Sequence, residues 1–303
     1  MVGIVVLNYN SWDDTTACIK SIFCAEQRSK FKIYVVDNAS PIRPSEKLVS
    51  WMKEQGVIFI QNNVNSGYSA GNNIGIKRAL DDGCDAILIS NSDVRYEFES
   101  ITKLYQYLNK NSDVGIVGPR IIRKDGSTQK ECMMMKTGPR EKYLLRTRFY
   151  CLFPVLYRQY WGRNHDYERE VFQVYAVLGC CFMFSRACAE EVAPLDEHTL
   201  LYEEELILGI KMEEAGWKTV YNPESIIHHL HSQSTQKVKA FSYTCNVCSE
   251  IYFCKEYLKM KNWQIRPLYW YRTFLYGLKM LRWHDFRMYL TEYWKRTHDE
   301  LRE

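Results

Sequence analysis

The chain has 303 residues, 46% of them hydrophobic and 25% charged, with a formal net charge of +4. A balance this close to neutral gives no basis for a nucleic-acid binder. No apolar run reaches the ~18 residues of a membrane-spanning helix, and 11 cysteines, an odd number without a regular ladder, do not make a disulfide scaffold. Free thiols, and an N-terminus that opens directly on a strand-like run, lead us to expect a cytoplasmic protein.

The first hundred residues alternate. Residues 3–7 are a short apolar run, 12–23 have helical spacing with Ser11 or Asp13 as the N-cap, and 33–36 form a second apolar run. Residues 45–55 read as helix, 57–60 as strand, 70–80 as helix, 86–90 as strand and 98–108 as helix. Strands that are apolar throughout, separated by amphipathic helices, predict a parallel sheet covered on both faces: a doubly wound α/β domain. Ligands of such domains lie outside the carboxyl ends of the strands.

The residues after each strand are therefore informative. They are Asn8-Tyr9-Asn10, Asp37-Asn38-Ala39-Ser40, Gln61 to Gly67, and Asn91-Ser92-Asp93. Turn chemistry alone favours Asn and Asp at such places. Four polar tips on one edge instead suggest a binding crevice. The crevice has neither Gly-x-Gly-x-x-Gly nor a phosphate loop ending in Gly-Lys-Ser/Thr, which disfavours a dinucleotide dehydrogenase and a P-loop enzyme. Residues 65–73 form a polar, glycine-containing loop that opens a helix.

The second half is less regular. Residues 115–122 read as a strand, Asp125-Gly126 as a hairpin tip, and 136–169 as a long basic, aromatic loop or loose helices. Residues 175–184 read as one strand, 187–192 and 203–215 as helices, and 220–221 and 226–229 as short strands. Everything from 241 onward reads as helix. Residues 255–303 carry a net +5 against −1 for the rest, and 14 of the 43 aromatics lie between Tyr252 and Trp294. Such a tail suits a helical lid, a homodimer contact or a membrane surface. Cys245-x-x-Cys248 falls in predicted helix at a spacing from His228, His229 and His231 that matches no zinc motif.

Three features carry chemistry. Asp93 at a strand tip suits a hard divalent cation such as Mg or Mn, which would neutralise a diphosphate. Glu203-Glu204-Glu205 opens a helix; the run either complements the helix dipole or supplies a general base. His229 and His231 share a strand face, as structural residues or as metal ligands.

The ordered set Val5 to Asn10, Val35 to Ser40, Asn65 to Gly75, Asn91-Ser92-Asp93, Gly115 to Pro119, Asp125-Gly126-Ser127, Leu178 to Met183, Tyr202 to Lys211 and Pro223-Glu224 to His229 resembles family 2 glycosyltransferases of the GT-A fold. It is most similar to the rhamnosyltransferase-like branch that builds bacterial surface polysaccharides. The resemblance implies a Rossmann-like, mostly parallel GT-A sheet. Residues 1–110 would be the donor half, 111–240 the acceptor half, and 241–303 a helical extension. It implies inverting transfer from a nucleotide-diphospho-sugar, dTDP-rhamnose first and a UDP-hexose second, to a glycan or polyprenyl-diphosphate-linked acceptor. Asn91-Ser92-Asp93 matches the metal motif, so Asp93 would bind Mn or Mg with His229, and with His231 where relatives often carry glycine. Asp37 would read the pyrimidine ring, with Asn8 and Tyr9 flanking it and with Asn10, Asn38, Asn65, Gly67 and Asn72 along the donor. Glu205 takes the place of the family's aspartate base, with Glu204 beside it. Ile207 stands where a further aspartate is usual. These departures leave a catalytically degenerate nucleotide-sugar-binding protein as the alternative.

Overall fold

The computed structural model describes residues 1–230 and 239–302. His231, expected as a metal ligand, lies outside the described residues. The first half runs β1 (Val2–Asn8), α1 (Trp12–Ala25), β2 (Phe31–Asp37), α2 (Glu46–Glu54), β3 (Ile58–Gln61), α3 (Gly67–Asp81), β4 (Ala86–Asn91), β5 (Val94–Tyr96) and α4 (Ser100–Lys110). The second half continues with β6 (Val114–Arg123), α5 (Pro139–Leu144), α6 (Pro154–Tyr160), β7 (Phe172–Val174), β8 (Cys181–Ser185), α7 (Arg186–Val192), α8 (Glu204–Glu214) and β9 (Lys218–His229). The extension holds α9 (Lys239–Tyr252), α10 (Asn262–Arg282), α11 (His284–Met288) and α12 (Leu290–Arg302).

The described strands form one sheet in the order β3-β2-β1-β4-β8-β6-β9-β5, with β7 paired to β9. The β3-β2-β1-β4 side is parallel, as the apolar runs predict. Beyond it β8 runs antiparallel to both β4 and β6, and β6 and β9 are again parallel. Alternate side chains of β1 enter opposite cores. Val2, Ile4 and Val6 pack with Cys18, Ile19 and Ile22 of α1 and with Ile101, Leu104 and Leu108 of α4. Val5 packs with Ile76 and Ala79 of α3, Cys188 and Val192 of α7, and Leu208 and Met212 of α8. This is the expected sheet covered on both faces.

Two expectations are corrected and one strand is added. The single strand predicted over 175–184 is broken: β7 and β8 flank a loop that carries Leu178, Gly179 and Cys180. The two short strands at 220–221 and 226–229 are one strand, β9, whose register slips opposite Pro119 and Arg120. The three-residue β5, which no sequence period marks, pairs with β9 so that Val94 faces His229.

The extension has its own core, including Val247, Ile251, Leu268, Tyr276, Phe286 and Tyr293. A fourth cluster joins it to the body: Phe253 packs with Leu145, Tyr160, Leu206, Ile207 and Ile210. Ile207 is thus a core residue of α8, which accounts for an apolar side chain at that position. No helix among the described residues is long and apolar enough to cross a membrane.

Candidate functional site

The carboxyl edge of the parallel strands is polar and dense with hydrogen bonds. Asn8 is buried at the tip of β1. Its amide donates to Asp37 (2.8 Å) and Ser40 (3.1 Å), and its carbonyl accepts from Ser11 Oγ (3.0 Å) and Thr15 (2.8 Å). Asp37 is 0% exposed. Besides Asn8 it accepts from Gln61 Nε2 at 2.8 Å and from the Ser40 hydroxyl. Its carboxylate therefore fastens the tips of β1, β2 and β3 to one another. Tyr9 stands exposed beside this network. Asn10 adopts φ 53° while its N–H donates to Ser40 Oγ at 2.7 Å.

The loop before α3 is held by Asn38, which donates to Asn65 Oδ1 (3.0 Å) and the Gly67 carbonyl (2.9 Å) and accepts from Asn62 (3.1 Å). Gly67 has φ +89°, and a Cβ there would lie 2.7 Å from the Leu200 carbonyl. Only glycine permits both the left-handed turn and that approach. The neighbouring Tyr68 N–H donates to the same carbonyl at 2.9 Å. Asn72 donates to the Tyr68 carbonyl at 3.0 Å, and its buried Oδ1 has no partner among the described residues.

At the tip of β4, Ser92 Oγ lies 2.9 Å from Ser11 Oγ. Asp93 and His229 meet across β5 and β9, with Oδ1 and Nε2 3.3 Å apart and both side chains about nine-tenths buried. His228 points the other way, to Glu97 at 2.8 Å, as strand alternation requires. A carboxylate oxygen and an imidazole nitrogen side by side fit as two ligands of Mn or Mg, with diphosphate oxygens and water left to complete the set. Among the described residues no third His, Cys, Asp or Glu joins such a group.

The acidic run is the second half of the site. Tyr202 and Glu203 both have positive φ, 75° and 69°, so the chain turns sharply before α8 begins at Glu204. Glu205 Oε1 accepts the Gly179 N–H at 3.1 Å, and a Cβ on Gly179 would sit 2.9 Å from that oxygen. The Tyr68 hydroxyl donates to the Gly179 carbonyl. Burial pushes the Glu205 carboxyl up, against the opposing pull of the Gly179 N–H and the Arg146 charge. Burial, reinforced by Glu205, pushes Glu204 up well above its ordinary value, and Glu204 Oε2 has no hydrogen-bond partner among the described residues. Both side chains sit at a helix N-terminus, but complementing its dipole does not account for two buried, proton-avid carboxyls.

The two halves meet at residues 179–180. The Asn91 N–H donates to the Cys180 carbonyl at 2.9 Å, one residue along from the amide that holds Glu205. The Cys180 thiol is pushed up by burial, with Cys181, Asp93 and Glu205 adding to it. Tyr68, Gly179 and Leu200 were not singled out individually from sequence. Gly179 and Tyr68 lay inside matched motifs, but the Tyr68 hydroxyl and the Leu200 backbone carbonyl have contacts that sequence does not mark.

Known proteins share this architecture. The chain is 29% identical over 206 residues to "Low-salt glycan biosynthesis hexosyltransferase Agl10" of Haloferax volcanii, covering 68% of this chain and 59% of that protein. It is 24% identical over 282 residues to the "N-acetylglucosaminyl-diphospho-decaprenol L-rhamnosyltransferase" of Mycobacterium tuberculosis, covering 89% and 88%. The solved structure titled "Crystal structure of GalNAc-T7 with UDP, GalNAc and Mn2+" superposes with a TM-score of 0.59 at 17% identity, over 77% of this chain and 44% of that one, which shows a shared GT-A fold. Residues 3–192 match the family described as "Glycosyl transferase family 2". The chain spans 59% of the first of these relatives, and with the family match covering more than half of the chain the protein belongs to glycosyltransferase family 2.

Proposed function

We propose that the enzyme transfers a sugar, with inversion, from a nucleotide-diphospho donor to a hydroxyl of a lipid-linked glycan acceptor. The observation that carries this proposal is the junction at Gly179 and Cys180, which ties the β4 tip bearing Asp93 to Glu205. The donor would lie along the Tyr9, Asn65, Gly67 and Asn72 side of the edge, over the scaffold made by Asn8, Asn10, Asp37 and Asn38. Asn91 and Ser92 would bring its diphosphate to Asp93. A divalent ion held by Asp93 and His229 supplies positive charge for the departing diphosphate when it is bound.

Glu205 takes the acceptor proton. The acceptor oxygen forms a bond to the anomeric carbon as the bond from that carbon to the diphosphate breaks. One displacement from the opposite face inverts the centre and needs no covalent sugar–enzyme intermediate. A base whose proton affinity is raised by burial is better matched to an alcohol proton than an ordinary glutamate. The Gly179 N–H aims its carboxylate, which bears on the extra methylene relative to aspartate.

With a hexosyltransferase and a diphospho-decaprenol L-rhamnosyltransferase among its relatives, dTDP-rhamnose is the first donor to test and a UDP-hexose the second, with a diphospho-polyprenol glycan as acceptor. Turnover measured over a panel of nucleotide sugars, with Mn2+, Mg2+ or chelator, tests the proposal. We expect product with one donor, loss in chelator, and a fall in kcat of about 10²–10⁴ for Glu205→Gln with donor affinity kept. Donor binding without turnover in any condition would instead support a degenerate binding protein.

The acceptor class also gives the extension a role: it faces the bilayer that carries the acceptor. Trp263, Trp270, Phe274, Leu278 and Leu281 are exposed on one stripe of α10, and every charged residue of that helix is basic. Exposed Phe149, Leu152, Phe153 and Val155 lie in the segment that docks on α10, where the Arg148 N–H donates to the Tyr271 hydroxyl at 3.0 Å. An apolar stripe framed by basic residues fits an anionic lipid surface.

A further inference from the structure

A cavity of about 380 Å³ lies between Tyr202 and helices α9, α10 and α11. Its walls include the rings of Tyr202, Tyr243, Trp283 and Phe286, together with two ammonium groups, Lys239 and Lys279. The Lys279 Nζ stands 5.0 Å from the Trp283 ring centre, 5.3 Å from Tyr243 and 5.7 Å from Phe286. The Lys239 Nζ stands 5.3 Å from the Trp283 ring centre. Among the described residues neither forms an ion pair with a carboxylate. Asp285, at the start of α11, gives one oxygen to the Ala240 N–H at 3.2 Å.

Two ammonium groups held on ring faces around one cavity are pre-positioned and uncompensated, and an anion would complete them. The cavity also adjoins the catalytic turn. Tyr202 lines it and directly precedes the acidic run, and its hydroxyl is pushed up by burial, with Glu204 and Glu205 adding to it. On the turn of α10 that carries Lys279, Leu278 and Leu281 are exposed and lead toward the apolar stripe.

We propose that this cavity is the acceptor's diphosphate subsite. Lys239 and Lys279 would bind the two phosphates, the rings would pack against the first sugar or prenyl unit, and Leu278 and Leu281 would meet the lipid chain. This rests on the lipid-linked acceptor proposed above and names the side chains that select it. It also gives the two lysines a purpose on a cavity that Tyr202 connects to the acidic run: they would bring a doubly charged substrate toward carboxylates that would otherwise repel it.

The test is calorimetric binding of farnesyl diphosphate, farnesol and inorganic pyrophosphate, each with Mn2+ and saturating dTDP or UDP present to fill the donor crevice. Farnesyl diphosphate should bind at least tenfold tighter than either partial ligand. Lys239→Gln and Lys279→Gln should each weaken it by about tenfold, the loss of one charge-assisted contact, while nucleotide affinity stays within twofold. Farnesyl diphosphate affinity unchanged in both variants would overturn the proposal. So would its complete displacement by the nucleotide, or pyrophosphate binding as tightly as the prenyl form. Failure of the wild-type chain to bind any nucleotide would instead sink the donor assignment.

Discussion

A methyl group on Gly179 would lie 2.9 Å from Glu205 Oε1 and 3.4 Å from the Tyr68 hydroxyl. Gly179→Ala must therefore move the carboxylate, the tyrosine or both. Since misplacement by about 1 Å can cost about 10²-fold, kcat should fall about 10- to 100-fold while donor affinity, measured by nucleotide binding, changes little. Glu204 makes a different prediction. Its raised proton affinity means that the folded chain holds a proton more tightly than the unfolded one. The associated stability is complete below the ordinary glutamate value of 4.5 and is lost as pH rises through the folded value. Each tenfold difference in affinity corresponds to about 1.4 kcal/mol. Glu204→Gln, a mimic of the neutral form, should thus raise the thermal midpoint at pH 7.5 and leave it unchanged at pH 4; equal midpoints at both pH values would refute this. Residue types and order made most of this edge legible, because strand tips and helix starts are local. What the sequence did not carry was burial. Nothing in the local sequence says that Asp37 is fully buried and bound by Asn8, Ser40 and Gln61.

Between elements, the start of α8 is anchored by charge. Lys142 of α5 is fully buried and lies 2.6 Å from Glu203 and 3.6 Å from Glu250 of α9. Arg272 of α10 pairs with Glu250 at 2.7 Å and donates to the Arg146 carbonyl at 2.9 Å. Burial would raise the Glu250 carboxyl, but Lys142 and Arg272 overcome it and hold it at about 2. Glu203 directly precedes Glu204 and Glu205, so this network links the extension to the turn that opens α8. Lys142→Met leaves two buried carboxylates short of a counter-charge and should cost about 3–5 kcal/mol in denaturant unfolding; a loss under 1 kcal/mol would mean that the buried pair is dispensable. None of this was readable from sequence, because the partners of Lys142 are 61 or more residues away and a buried lysine in a basic, aromatic stretch looks like any surface lysine. Regular elements fared better. The helices announce themselves by period and the parallel strands by unbroken apolar runs, whereas the three residues of β5 are too few to show either.

At the scale of the whole molecule, the GT-A body was legible and its second half only partly so. Parallel strands buried on both faces leave continuous apolar runs, but nothing local says that β8 inserts antiparallel between β4 and β6. The basic, aromatic character of the extension was equally plain; which side chains would face outward depended on how α10 packs. Burying one large apolar side chain is worth about 1.5–3 kcal/mol. Replacing Trp270, Phe274 and Leu281 together with Ser should therefore abolish flotation with liposomes containing anionic lipid, and high salt should weaken flotation of the unaltered protein. Equal flotation of both forms would remove the membrane role, and a change in oligomeric state instead would identify the stripe as a self-association face.

The sheet order has a further consequence for synthesis. β4 pairs with β1 early, but its other edge is covered only by β8, Ala86 opposite Ser185. A ribosome adding about 5–20 residues per second needs on the order of 5–20 seconds to deliver that partner. For that interval the nascent chain presents an unpaired, apolar ladder. Its yield on expression should therefore depend on holdase chaperones and on slow, cool translation more than on the stability of the finished enzyme.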